Sequence, residues 1–228
     1  MRTLLCSLLL VLALAASASA QARAGVAIDA LRAALAEDGL ELREIELDDE
    51  ADRPVRLEIA RIGAGGAVAL LDVQVRESER EASATARARI EVESTHGLVV
   101  RGADVWADVA HGAAGLVVAR DANVVAIVRT IDRRVDAMTI LERVRAAIAH
   151  APVSATRRDA PRVEVPRDLA IGASFGVPVP RELIAARVIA EGPGYARRTP
   201  RGWMVTRTAQ GALTVRVIGV DALLRPLR

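Results

Sequence analysis

The chain has 228 residues, 52% of them hydrophobic, and a formal net charge of +2. That is enough apolar material for a sizeable core, and it excludes a highly charged disordered chain. A single cysteine, Cys6, excludes a disulfide framework or a zinc–thiolate cluster, and 2% aromatic residues leave few platforms for stacking sugars or single-stranded nucleic acid.

Residues 1–20 read as a secretory signal peptide. Arg2 supplies a basic n-region, residues 4–16 an apolar h-region, and Ala18-Ser19-Ala20 a small-x-small cleavage site, so the mature chain is expected to start at Gln21. The apolar run is too short for a membrane span of ~20 residues. Cys6 precedes nearly all of it, which argues against lipidation and means that the only thiol leaves with the leader. The expectation is a periplasmic or secreted bacterial protein with no transmembrane span after cleavage.

Residues 26–38 carry Ile28, Leu31 and Leu35 on one helical face, and Gly39 sits where a C-terminal cap belongs. Residues 40–47 then alternate, with one slip that reads as a bulge. A polar turn over 48–54 leads into a half-buried strand at Val55, Leu57 and Ile59, and glycines in 63–66 close a hairpin into 67–76. Residues 82–93 also alternate: Ala82, Ala84, Ala86, Ala88, Ile90 and Val92 on one side, Ser83, Thr85, Arg87, Arg89, Glu91 and Glu93 on the other. Period two over twelve residues predicts a strand whose alanine face lets a helix lie close.

Residues 98–109, 116–120 and 124–129 continue the β pattern, with a tight turn at Asp121-Ala122-Asn123. Residues 124–128 are apolar on both faces, as in a doubly covered strand. Residues 136–149 return to helix, with Asp136 as N-cap and Met138, Leu141, Val144 and Ile148 as the apolar stripe. The fold class is therefore α+β, an antiparallel sheet with two helices on one face, over residues 21–150. Residues 151–162 contain prolines and no periodicity and read as a linker. Residues 163–228 carry short β-runs at 171–179, 183–189, 203–207 and 213–220, as in a small all-β sandwich.

Charge divides at the same place. Residues 21–150 hold 17 Arg against 23 Asp and Glu, a net of −6; residues 151–228 hold 13 Arg against 6 acids, a net of +7. All the Lys and Arg are arginine. A basic module of this kind suits an anionic envelope polymer, another envelope protein, or the chain's own acidic half.

Residues 163–220 resemble a bacterial immunoglobulin-like domain in their strand rhythm, over 163–166, 172–180, 185–191, 202–208 and 211–220. The closing Gly211-Ala212-Leu213-Thr214-Val215-Arg216-Val217 is similar to the final strand of that group. The resemblance implies an immunoglobulin-like β-sandwich and transfers no catalytic residue. In topology alone, residues 26–150 resemble periplasmic α+β domains of the photosystem-P-protein and Mog1-like type.

Gly172-Ala173-Ser174-Phe175-Gly176 matches the nucleophile elbow of α/β-hydrolases, but Val177-Pro178-Val179-Pro180 follows where a helix is required, and no histidine lies beyond His150. His96, His111 and His150 lack metal-binding spacing, and the acids in 48–52 lack the pattern of a calcium loop. No catalytic, metal or cofactor residue is assigned. Arg197, Arg198, Arg201 and Arg207 flank Trp203 and are the candidate anion- or partner-binding residues. The sequence thus predicts an exported, non-enzymatic envelope protein with a binding or assembly role and no nucleic-acid partner. The alternative is a secreted hydrolase using paired carboxylates, whose spacing in sequence is unconstrained.

Overall fold

A computed structural model describes residues 23–48, 54–93, 97–108, 114–153, 159–160 and 162–227. The leader, His96, His111 and the acids at 49–52 lie outside the described residues.

Among the described residues, the first part is a seven-stranded antiparallel sheet with three helices. The helices are α1 (Ile28–Glu37), α2 (Glu79–Glu93) and α3 (Ala137–His150). The strands are β1 (Leu40–Glu46), β2 (Val55–Arg61), β3 (Ala67–Val75), β4 (Val99–Gly102), β5 (Val105–Ala107), β6 (Leu116–Asp121) and β7 (Val124–Thr130). Their order in the sheet is β1-β2-β3-β7-β6-β5-β4, every neighbour antiparallel. The slip in β1 is a bulge: Leu42 faces Ile59, Glu44 faces Glu58, and Arg43 is the extra residue. Gly39 follows α1 with φ of 70°, and the Asp136 carboxylate accepts from the Met138 N–H at 3.0 Å to start α3.

Two expectations are corrected. Residues 82–93 form helix α2, not a strand. Ala82 and Ala86 are buried four residues apart, whereas Ala84 and Ala88 face away or are exposed. An alternating row of alanines contains the i, i+4 stripe of a helix, and alanine and arginine are strong helix formers. The start is fixed by Ser78, whose hydroxyl accepts from the Glu81 N–H at 3.2 Å, while the Glu81 carboxylate accepts from the Glu77 N–H at 3.3 Å, close to a capping box. The close packing inferred from the small face survives in inverted form: Ala82 and Ala86 bring α2 down onto Val125 of β7.

The sheet consequently carries helices on both faces. α1 and α3 pack with Val117, Ala119, Val124, Ala126 and Val128 in the main core. α2 covers the opposite face near Val125, and Ile90 and Leu98 pack beside Leu116, Val118 and Ile127. β6 and β7 are thus doubly covered, as the apolar run 124–128 implied.

The C-terminal region contains β8 (Ser174–Val177), β9 (Ala185–Glu191), β10 (Gly194–Thr199), β11 (Gly202–Arg207) and β12 (Thr214–Val220), arranged as the small sheets β10-β11-β8 and β12-β9. Strand β10 is additional to the sequence-predicted set. Its tyrosine and arginines hide it, because half of its side chains stay in solvent. These sheets share a second core of Val177, Val188, Val205, Leu213, Val215 and Val217.

The end of the chain returns to the first core. Val220 and Leu224 are fully buried there, with Ile184 and Ala185 packed alongside. Leu223 O and Ala222 O accept from Val26 N at 2.9 Å and Ile28 N at 3.0 Å. Asp221 closes this tail into a turn, accepting from the Leu223 and Arg225 N–H groups and the Arg225 guanidinium.

Candidate functional site

Among the described residues strand β1 is an edge of the large sheet, paired only with β2. Its outer side borders a groove of about 670 Å³ shared with the C-terminal region. One wall is Leu42, Arg43, Glu44, Ile45 and Leu47; the other includes Leu183, Ile184, Ala185, Ala186 and Arg187, and Arg198, Trp203 and Arg32 of α1 also line it. Consecutive residues of β1 line the wall. Side chains alternate across a strand, so the groove runs along the strand edge and not over one face.

The four candidate arginines do not converge. Arg198 is the cross-strand partner of Trp203 and lines the groove. Arg197, its neighbour on β10, points to the other side of the strand; both arginines are exposed. Arg201 sits in the turn between β10 and β11, its N–H bonded to Thr199 Oγ1 at 3.3 Å. Arg207 lies four residues beyond Trp203, about 13 Å along β11, and its guanidinium donates to Gly211 O at 3.3 Å. Among the described residues neither the Arg198 nor the Arg197 guanidinium has a hydrogen-bond or ion-pair partner.

A second, more polar pocket of about 610 Å³ opens beyond the end of β1 and shares Leu47 and Arg187 with the groove. Its wall is built around Asp72, a carboxylate almost wholly buried in the middle of β3. Arg56, directly opposite on β2, clamps it with Nε to Oδ1 at 2.7 Å and Nη2 to Oδ2 at 3.0 Å. That hydrogen-bonded pairing, with the attraction of Asp72, raises Arg56 further above its ordinary value. Arg129 of β7 donates to Asp72 Oδ2 at 2.9 Å and to the buried Glu93 carboxylate at the end of α2. One guanidinium thus ties helix to sheet, and Arg89 on α2 lines the same pocket.

Ser174 of the elbow-like motif lies in β8, its Oγ 2.7 Å from Thr206 Oγ1. It is a strand residue bonded to its neighbour in the sheet, not a serine on a strand-to-helix turn. His150 ends α3 with Nδ1 2.8 Å from Ala146 O. Among the described residues no group of three His, Cys, Asp or Glu could hold a metal ion, and no helix is long and apolar enough to cross a membrane.

The Asp72 cluster had only one sequence signal, an acid inside the apolar run Leu70-Leu71-Asp72-Val73. Its partners lie 16 and 57 residues away and need the strand register to be found. The chain matches no protein-family model, no curated protein and no solved structure.

Proposed function

We propose that this is an exported, non-enzymatic envelope protein whose binding or assembly role is carried by the groove between β1 and the C-terminal sheets, and that its partner there is anionic. Residues 21–150 form the α+β part, 151–162 the connection, and 163–228 an immunoglobulin-like module whose residues Val220 and Leu224 complete the first core. The observation that carries the reading is Arg198, which among the described residues has no partner for its guanidinium, beside Trp203 in a groove bounded by a strand edge that no other described strand pairs. Arginine with an aromatic neighbour suits carboxylate or phosphate groups. The leader-like residues 1–20 support export.

The test is amide hydrogen exchange of the mature chain with and without anionic envelope polymers and native envelope extract. Protection concentrated in β1, residues 183–187 and residues 202–203 supports the groove. Protection confined to other surfaces, or none, contradicts it.

A secreted hydrolase with paired carboxylates is the second reading, because Asp72 and Glu93 are brought to one guanidinium on a pocket wall. Asp72 is already engaged by three hydrogen bonds from Arg56 and Arg129, and Arg129 also donates to Glu93. The cluster therefore fits a tie between α2 and the sheet better than an acid–base pair. Turnover of any envelope polymer that is abolished by Asp72→Asn would reverse that preference.

A further inference from the structure

We propose that residues 220–227 are a releasable strap. Docked, they hold the second wall of the groove against the first core; released, they let the C-terminal sheets swing away from β1 as a folded unit. This goes beyond the binding reading and does not depend on what occupies the groove.

The wall and the strap are joined through the backbone. Ile184 and Ala185 of the wall meet Val220, the first residue of the strap: Ile184 N donates to Val220 O at 3.0 Å, and Ala185 is the ladder partner of Val220. From Val220 the strap folds back on the end of β12, with Asp221 N donating to Arg225 O at 3.2 Å and Leu227 N to Gly219 O at 2.9 Å. Those bonds lie within the C-terminal region, so none of them ties the strap to the first part.

The docking contacts are local. Val220 and Leu224 fill the first core. Ala222 O and Leu223 O receive the Ile28 and Val26 N–H groups, at the start of a helix that Ala27 leaves without a side-chain cap. On release these groups turn to water. The C-terminal sheets keep a separate core around Val188, Val205 and Val217, so they need not unfold with the strap. A segment held by a few apolar side chains and two backbone bonds opens at lower free energy than the whole fold. Across the groove, Arg187 Nη1 donates to Leu47 O at 3.3 Å from an exposed position, a second tether that solvent can replace.

Leu224 shows that the docked strap is held and not relaxed. Its φ of 55° lies in the left-handed region that residues with a Cβ rarely adopt, yet its side chain is fully buried. Such a conformation persists where the surroundings impose it. Here the socket in the first core does so, and the backbone cost favours release.

The test uses the chain from Gln21, which holds no cysteine. Glu44→Cys on β1 and Arg181→Cys beside the second wall carry spin labels for a distance measurement. Gly25→Ala, which sets a Cβ against Leu223 O, and Leu224→Ala, which empties the socket, are compared with Gly65→Ala. A longer label distance is expected in at least fivefold more molecules of the two strap variants than of the wild type or Gly65→Ala. Amide protection should be kept at Val73 in the first core and Val205 in the second. In the wild type, at urea concentrations below the global transition, the longer distance should appear together with exchange at Val26 and Ile28, at least tenfold faster than exchange at Val73 and Val205. If the strap variants fail to fold, this wild-type measurement decides alone. An unchanged distance in folded strap variants overturns the strap. So does a wild type in which Val26 and Ile28 exchange without any lengthening, or in which the distance lengthens only as Val73 and Val205 lose protection.

Discussion

Gly25 and Leu223, near opposite ends of the described chain, are in backbone contact: a Cβ built on Gly25 would lie 2.2 Å from Leu223 O. Gly25 also has φ of 144°, a conformation that residues with a Cβ rarely adopt. The next residue, Val26, donates to the same carbonyl at 2.9 Å. The junction brings Leu224 into the main core beside Val26 and Ile28. Gly25→Ala is expected to lower stability by ~2 kcal/mol or more, since both conformation and contact are lost. Gly65→Ala, in the hairpin with open space around it, should change little. Urea unfolding of the two variants checks this; equal effects would mean that the junction carries no energy.

The same junction predicts the outcome of nicking. Protease cleavage between residues 154 and 162 should leave the two pieces associated in native buffer, because Val220 and Leu224 remain in the first core. Size-exclusion chromatography after cleavage checks it. Pieces that separate without denaturant would contradict the shared core.

On helix α2, burial distinguishes two alanines that the alternation places together. Ala86→Leu should cost ~1–3 kcal/mol, because Ala86 lies against Val125 and extra volume forces the helix off the sheet. Ala88→Leu, on the exposed side, should stay within ~0.5 kcal/mol of wild type. Thermal unfolding of both reads the difference.

In the Asp72 cluster, Arg129→Ala should destabilise more than Arg56→Ala. Losing Arg129 leaves Glu93 without that partner and Asp72 with one arginine instead of two, whereas losing Arg56 still leaves Arg129 on both carboxylates. The Arg129 effect is expected at ~2 kcal/mol, since its side chain is 33% exposed and solvent screens part of the attraction. Urea midpoints in the opposite order would remove Arg129 from the centre of the network.

Asp38, at the end of α1, accepts two hydrogen bonds from Arg143 of α3, at 2.7 and 2.8 Å. Those bonds, with the arginine's charge, hold its pKa below the ordinary carboxylate value despite the opposing desolvation. A depressed folded-state pKa contributes stability above the unfolded value, about 3.9, and that contribution is lost as pH falls through the lower folded value. Arg143→Gln should therefore raise the Asp38 titration midpoint towards the ordinary value. The stability gap between variant and wild type should be present at pH 6 and shrink on acidification. Carboxyl-carbon NMR titration and urea midpoints at both pH values check the sign.

Much of the first part was legible because its signals are local. The bulge in β1, the hairpin at 63–66, the Asp136 cap and the doubly apolar β7 each depend on a few neighbouring residues. Helix α2 was not, because period two and period 3.6 share their i, i+4 positions, and alanine satisfies either face. Ser78 and Glu81 were the available signal, and a capping pair outweighs alternation when the small residue is alanine. Of the four candidate arginines, the structure places only Arg198 on the groove. Arg197 and Arg201 looked equivalent in sequence, and only the pairing of β10 with β11 separates them. The burial of Val220 and Leu224 in the distant core has no local signature.

Arg197 and Arg198 provide the most direct test of groove binding. They are adjacent in sequence, carry the same charge and lie on opposite sides of β10. Affinity for poly-L-glutamate should be measured by isothermal calorimetry for the wild-type mature chain, Arg197→Ser and Arg198→Ser, at low and at physiological salt. Binding in the groove predicts a loss of fivefold or more for Arg198→Ser, near-wild-type affinity for Arg197→Ser, and weakening with salt for all three. Equal losses for the two variants, or no loss for either, would contradict it and leave the arginines of the C-terminal region as surface charge alone.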